Sequence, residues 1–331
     1  MALNESIKRW LVASYLIAFI SIVLMTNFYG NTDIYDYSNV AKFFSGDFNA
    51  KIRTSHSFLY GFMHYPLVDL MDNFLIFKIT SLIFLGLIIY STYIISGRNR
   101  KALLLFIFSP IIWYMAHWIS PIQLASLLIL WSYFFIKKYD LSSKLKYLFY
   151  SGALVGISWA FWDGILFFIP LFAISFLYNK KSSHFLLFFI FVSIGVIPRL
   201  IVDQILFGFA FQGIIRHIMA TASILIYWGI SGTTLTSRVM SLVLLFFIPW
   251  FSYIFAKKEI FNINRKEIYF ILLSLIILLI NSQIRMLLLV YPLIILMLSR
   301  NLTERTFNIQ LSIFIIISII VVIQYVMQLN N

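Results

Sequence analysis

The stretch that decides the fold is Phe74–Ile95, FLIFKITSLIFLGLIIYSTYII, which the basic residues Arg98, Arg100 and Lys101 follow at once. A run of about 17 to 25 mostly apolar residues is long enough to cross a lipid bilayer as a helix. Across the whole chain 62% of the residues are hydrophobic and only 11% are charged, a balance that no soluble globular domain needs. The sequence therefore predicts an all-α protein that spans a membrane.

Similar apolar runs recur along the chain, and several are short enough to be half-spans or tilted pairs. We count about eleven candidate spans: Trp10–Phe28, Phe74–Ile95, Ala102–Ala116, Pro121–Ile136, Tyr147–Trp162, Gly164–Tyr178, Phe185–Leu206, Arg238–Ala256, Ile268–Ile280, Arg285–Ser299 and Phe307–Met327. No connecting segment is long enough to fold as a soluble domain. We therefore expect residues 1–331 to form a single polytopic transmembrane helical bundle.

The distribution of basic residues predicts how the bundle is oriented, because Lys and Arg in short loops are retained in the cytoplasm. With the N-terminus inside, 17 of the 25 basic residues fall in cytoplasmic segments. They are Lys8, Arg9, Arg98, Arg100, Lys101, Lys137, Lys138, Lys144, Lys146, Lys180, Lys181, Lys257, Lys258, Arg265, Lys266, Arg300 and Arg305. The net charge of +13 is thus explained by topology and by contact with anionic lipid headgroups, and it does not indicate nucleic-acid binding.

The opposite, extracytoplasmic side combines acids, bases and histidines. It holds Asp33, Asp36, Asp47, Asp69, Asp72, Asp163, Asp203, His56, His64, His117 and His217, together with Lys42, Lys51, Arg53, Arg199, Arg216, Arg238 and Arg285. Ionisable groups at or in a bilayer are costly to bury and usually serve a function. The chain contains no cysteine, which excludes disulfides and thiolate nucleophiles.

The longest predicted exterior segment, Tyr29–Asn73, contains a pattern typical of an amphipathic helix on a membrane surface. Tyr37, Val40, Ala41 and Phe44 share one face, and Gly46 is the expected end of the helix. Asp33 and Asp36 then stand at its N-terminus, where the helix dipole favours carboxylates. Spacing alone favours a role as helix caps for these two acids over a catalytic one.

Two further exterior stretches carry candidate binding residues. The stretch from Lys51 to Pro66 mixes Arg53, His56 and His64 with hydroxyls and aromatic rings, which suits a phosphate and a sugar ring together or, alternatively, an interfacial aromatic belt. The stretch from about Phe207 to Ser237 is neither charged nor hydrophilic throughout. We expect it to fold back onto the membrane or the protein, as a lid would.

The segment Thr32–Gly46, followed by Tyr65-Pro66-Leu67, resembles the first exterior loop of the GT-C superfamily of membrane glycosyltransferases, and its mannosyltransferase branches most of all. Three other stretches are similar to parts of the same family: Phe108–Trp113 with His117, Gly152–Asp163, and Arg285–Leu293. The resemblance implies transfer of a hexose, with mannose favoured, from a polyprenyl or dolichyl phosphate to a lipid or glycan acceptor at the extracytoplasmic face of the cell membrane.

The resemblance also implies roles for particular residues in an inverting transfer. A carboxylate must accept the proton of the attacking hydroxyl, and Asp36 or Asp33 is the candidate. The candidates for holding the donor, and above all its phosphate, are Arg285, Arg53, His56 and His64, with Tyr37 and Tyr291 completing the substrate-binding set. Two residues separate the aspartates, whereas many relatives have one, so either could be the base. We expect no cofactor, although two nearby acids could also bind a divalent cation.

Other classes of protein share some of these features. A transporter or lipid flippase would explain the spans but places its ionisable groups near the membrane midplane. An O-antigen ligase or polymerase uses exterior Arg and His, as in the pair Arg216-His217. A purely structural membrane protein is a further alternative. Proximity of Asp33 or Asp36 to Arg285 at the exterior boundary would favour the glycosyltransferase.

Overall fold

A computed structural model describes residues 5–26, 33–52, 57–68, 73–226, 239, 243, 248–251, 264–280 and 284–327. Within these ranges the chain consists of helices and their connections and contains no strand, so the all-α prediction is confirmed. The helices are α1 (Glu5–Met25), α2 (Asp33–Phe44), α3 (Leu59–His64), α4 (Asn73–Ile95), α5 (Arg100–Ile107), α6 (Pro110–Ala116), α7 (Ile122–Ser142), α8 (Leu145–Phe161), α9 (Ile165–Leu177), α10 (Ser182–Phe207), α11 (Gln212–Ile226), α12 (Arg265–Ile280), α13 (Tyr291–Asn301) and α14 (Glu304–Met327). Shorter helical turns cover Tyr65–Leu67, Ile248–Trp250 and Ile284–Leu289.

Three of these helices are long and apolar enough to cross a membrane: Phe74–Ile95 in α4, Ser182–Phe207 in α10 and Glu304–Met327 in α14. Two shorter apolar helices, Arg9–Met25 and Ile165–Leu177, accompany them. The fold is therefore consistent with a membrane protein, while the number of about eleven spans stays a prediction. Most of the predicted span Arg238–Ala256 lies outside the described residues.

The predicted span Ala102–Ala116 is divided into α5 and α6 at Ser109-Pro110. Proline has no backbone N–H and disfavours a helical conformation in the residue before it. Ser109 accordingly has an extended backbone, with φ −69° and ψ 130°, and Pro110 opens α6. This part of the bundle is thus a discontinuous helix.

The closest helix pair is α8 with α10, and glycines make the approach possible. A Cβ atom at Gly156 would lie 2.0 Å from the carbonyl oxygen of Val192, and one at Gly195 would lie 2.2 Å from that of Ala153. No side chain can occupy those positions, so the two backbones touch directly, as small residues allow between membrane helices. One face of this pair belongs to the main apolar core, in which rings such as Phe172 and Phe188 stack 5.9 Å apart.

Ion pairs tie together one end of the bundle, which we call the Asp140 end. Asp140 contacts Lys180 at 3.0 Å and Lys266 at 2.7 Å. Glu267 contacts Arg300 at 3.0 Å and accepts a hydrogen bond from the hydroxyl of Tyr133. Nearby, the Asn99 side chain donates to the backbone oxygen of Ser299 at 3.0 Å. The connections predicted to be cytoplasmic thus meet at one end, and the side of the membrane that this end faces stays a prediction.

The helix predicted around Tyr35–Gly46 is present as α2. Tyr37, Val40 and Ala41 share one face as predicted, but that face is buried within the protein; Phe44 is half-exposed against Phe62, with ring centroids 4.8 Å apart. The chain leaves the helix through Gly46, whose φ of +114° favours glycine.

The buried face of α2 packs against α3 and belongs to a second, smaller apolar cluster. That cluster contains Ile34, Tyr37, Ala41, Tyr60, Val68, Phe77 and Ile119, with Phe161 packed against it. Ile119 precedes α7 and Phe161 ends α8, so α2 and α3 lie at the opposite end of the bundle from Asp140. We call this the Asp163 end.

Candidate functional site

A cluster of buried charges, Asp163, Arg199 and Asp203, lies at the Asp163 end. Arg199 is only 1% exposed although it sits inside α10; its Nη1 pairs with Asp163, and its Nε lies 3.9 Å from the Oδ2 of Asp203, one turn along the helix. The Nε and Nη2 atoms of Arg199 have no hydrogen-bond partner within the described part of the chain. Buried charges are tolerated only when they are paired, so the surrounding groups must supply ion pairs and hydrogen bonds to this cluster.

Both predicted exterior loops attach to this ion cluster. The backbone N–H of Ser57 donates to the Oδ2 of Asp163 at 3.1 Å, and that of Gly213 donates to the Oδ2 of Asp203 at 3.0 Å. The Nδ1 of His217, on α11, lies 3.9 Å from Asp163. One guanidinium therefore joins two carboxylates, and each carboxylate holds a different loop.

Of the two predicted catalytic acids, Asp36 is described in full. It is half-exposed on α2, and the adjacent Tyr37 is buried with its ring 5.1 Å from that of Tyr60 in an edge-to-face contact. The helix is thus fixed by its apolar face, and Asp36 lies outside that buried face. Asp33 begins α2, but its side chain lies outside the described residues.

Two cationic side chains, Lys78 and Arg285, lie at the same end on separate elements. Lys78, 1% exposed in α4, donates to the carbonyl and hydroxyl oxygens of Thr26, the second at 3.0 Å. His117, which follows α6, adds no positive charge, because its burial and then the charge of Lys78 lower the pKa of the imidazole to about 4. Arg285 is half-exposed, and its charge acts on the phenol of Tyr114. Together these cations could stabilise an anion. Lys78 was not among the site residues predicted from the sequence.

Stacked aromatic side chains lie at the end of α6 and in the turn that precedes α7. Tyr114 and Trp118 stack with centroids 5.7 Å apart and an angle of 30° between their planes. Behind them the ring of His117 stacks on that of Tyr325 at 4.1 Å and 13°. This part of the chain thus offers two ordered aromatic rings, of which Tyr114 lies within electrostatic reach of Arg285.

Two other predicted binding residues are packed in the interior. The Nδ1 of His64 lies 2.7 Å from the carbonyl oxygen of Tyr60, and its ring centroid lies 4.0 Å from that of Phe77. Burial lowers the pKa of His64 to about 4, so the imidazole is neutral at pH 7 and offers no positive charge to a phosphate. Tyr291 is 1% exposed in the main core, with its ring 6.2 Å from that of Phe106.

Only some of the predicted residues lie at one end of the bundle, and their assembly into one site stays a prediction. Asp36, Tyr37 and Arg285 lie at the Asp163 end, whereas Tyr291 lies further into the core. Arg53 and His56 lie outside the described residues. Sequence reasoning missed Lys78, whose signal was a lone charge within the apolar run of α4. The sequence indicated Arg199 and Asp163 only as exterior charges and did not predict that they form an ion pair.

Among the residues that the structure describes, no group of three or more His, Asp or Glu side chains could hold a metal ion. No protein-family model and no curated protein matches the chain. A functional assignment must therefore rest on the geometry of this end of the bundle and on the pattern of its loops.

Proposed function

We propose that this chain is an inverting membrane glycosyltransferase that moves a hexose, with mannose favoured, from a polyprenyl or dolichyl phosphate to a hydroxyl of a lipid or glycan. The observation that carries the proposal is the position of α2. This helix begins at Asp33, bears Asp36, and packs at the same end of the bundle as Lys78, His117 and Arg285. The Lys- and Arg-rich Asp140 end lies opposite, and by the positive-inside rule it faces the cytoplasm.

Asp36 acts as the general base in this proposal. The acceptor oxygen attacks the anomeric carbon of the sugar and forms the new glycosidic bond, while the bond between that carbon and the phosphate oxygen breaks. The hydroxyl proton passes to the carboxylate of Asp36, and the polyprenyl phosphate leaves with the electron pair. The configuration at the anomeric carbon is inverted. A half-exposed acid on a fixed helix suits this role, because the base must be both reachable and held in place.

The leaving phosphate needs fixed positive charge in the transition state. Arg285 is the candidate for direct contact because it is half-exposed, and its planar fork matches two phosphate oxygens. Lys78 is buried and held by Thr26, so it would act through its field rather than by contact. Neutral His64 takes no part in phosphate binding in this arrangement.

The test is transfer of radiolabelled mannose or glucose from polyprenyl phosphate to membrane lipids by the purified protein. Asp36→Asn should lower the rate by about 10² to 10⁴, since that is the usual effect of losing a general base. Asp47→Asn is the matched control, because Asp47 is an exposed acid just after the same helix that bonds only locally to the N–H of Asn49. Near-normal transfer by Asp36→Asn would make Asp36 a structural residue and require another base.

A transporter is the second candidate, and two observations favour it. Arg199 lies eight residues before the end of α10, about 12 Å along the helix axis, so the ion cluster reaches into the apolar part of the bundle. The break between α5 and α6 is typical of transporter helices as well. Proteoliposomes discriminate the two functions: movement of a labelled polyprenyl-phosphate sugar between leaflets, without any transfer to acceptor, would favour the transporter.

A further inference from the structure

We propose that Tyr114 and Trp118 form a platform that binds the sugar ring of a sugar attached to a phosphate. Both side chains are half-exposed, and they stand one helical turn apart with their rings 5.7 Å from each other at 30°. This inference rests on the proposed function and adds to it the subsite that would recognise the sugar. Neither residue belongs to the catalytic set described above.

The platform is held rigid from behind. The indole N–H of Trp118 donates to the hydroxyl of Tyr325 at 2.8 Å, and the ring of His117 stacks on Tyr325 at 4.1 Å. The side chain of Gln123 donates to the backbone oxygen of Trp118 at 2.7 Å and so fixes the turn itself. Because these contacts set the orientation of the indole before any ligand arrives, little conformational entropy is lost on binding.

This arrangement differs from that of an interfacial anchor. A tryptophan in an aromatic belt points its N–H toward water or lipid headgroups, with its ring in the hydrocarbon. The N–H of Trp118 is instead directed to Tyr325, which is itself buried. The polar edge of the indole is thus turned inward, while the side chain as a whole is only partly buried.

The chemistry of the platform indicates its ligand. The face of an aromatic ring is negative, and the axial C–H groups of a pyranose form an apolar face of weakly positive character, so the two pack together. The charge of Arg285 reaches Tyr114, the other ring of the pair. An aromatic surface beside a guanidinium matches a hexose joined to an anionic phosphate better than it matches a neutral glycan.

Binding measured in lipid nanodiscs tests the platform without relying on catalysis. The probes are polyprenyl-phosphate mannose and the same polyprenyl phosphate without sugar. Trp118→Leu should weaken binding of the first about three- to tenfold, the range expected for one aromatic stacking contact, and change binding of the second less than twofold. Trp131→Leu is the matched control, because Trp131 is a half-exposed tryptophan of α7 whose N–H also donates to a side chain, Ser91.

A second pair of variants keeps the test decisive if Trp118→Leu does not fold. Trp118→Phe keeps an aromatic face and should retain most of the preference for the mannose-bearing lipid, whereas Tyr114→Leu should lower that preference. Equal weakening for both probes, or no change for either, would overturn the platform. Failure of the enzyme proposal is a separate result. If the protein shows no transferase activity but its preference for the sugar-bearing lipid still depends on Trp118, the platform is supported and the transferase proposal is refuted.

Discussion

Replacement of Arg199 by methionine tests the buried ion cluster most directly. Methionine fills the space of the aliphatic stem but removes the charge, so Asp163 and Asp203 remain as two buried carboxylates without a guanidinium between them. Removing one partner of a buried ion pair typically costs about 3–5 kcal/mol, because the remaining charge is uncompensated. We expect a loss of that size in the free energy of unfolding at neutral pH.

The assay is unfolding in mixed micelles of increasing denaturing detergent, followed by circular dichroism. The matched variant carries Asp163→Asn and Asp203→Asn in addition to Arg199→Met, so that no buried charge is left. An asparagine oxygen can still accept the N–H groups of Ser57 and Gly213, and replacing a whole buried ion cluster is often nearly neutral. The triple variant should therefore lose less than about 2 kcal/mol. Wild-type stability of Arg199→Met, or equal instability of both variants, would refute the reasoning.

Three further predictions concern topology, donor binding and pH. In the cysteine-free chain, a cysteine replacing Asp47 should react quickly with a membrane-impermeant reagent on intact cells and one replacing Ser143 should not; the reverse pattern would overturn the orientation. Arg285→Lys should lower transfer markedly and Arg285→Ala should nearly abolish it, with the main effect on the concentration dependence of the polyprenyl-phosphate sugar; unchanged donor dependence in a stable Arg285→Ala protein would make Arg285 only a helix anchor. Because burial lowers the pKa of His64 from 6.5 to about 4, the stability it provides is complete above pH 6.5 and declines as the pH falls from there toward 4. The melting temperature of the wild type should therefore fall more steeply than that of His64→Gln between pH 7 and pH 4.5, and parallel curves would contradict the burial of a neutral imidazole.

Much of the helical architecture could be predicted because its signals are local. The pattern of Tyr37, Val40 and Ala41 with Gly46 places α2 within two residues of its observed bounds, since periodicity and a helix-ending glycine act within one short segment. The division at Ser109-Pro110 was missed. Within an apolar run long enough to span a membrane, the proline is the only sequence signal of a break in the helix.

The candidate site was less predictable because its contacts join distant parts of the chain. Ser57 and Asp163 are 106 positions apart, and only the packing of the first loop onto α8 brings them together. His64 looked like a cation available to a phosphate, but Tyr60 and Phe77 enclose it in the smaller core. Burial and pairing of a polar side chain depend on tertiary structure, whereas its residue type and its position along a span can be read from the sequence.

The glycine contact between α8 and α10 has a consequence for how relatives of this chain could be recognised. The contact between Gly156 and Gly195 places two parallel helices at a common level. Asp163 follows Gly156 by seven residues, and Arg199 and Asp203 follow Gly195 by four and eight residues. One residue inserted in the helical part of either interval would shift the charge that follows by about 1.5 Å and turn it by about 100° around the helix axis. The spacings Gly-x6-Asp and Gly-x3-Arg-x3-Asp are therefore fixed by geometry rather than by the identity of the apolar residues between them. Together they make a two-part signature that can persist after the surrounding apolar sequence has diverged.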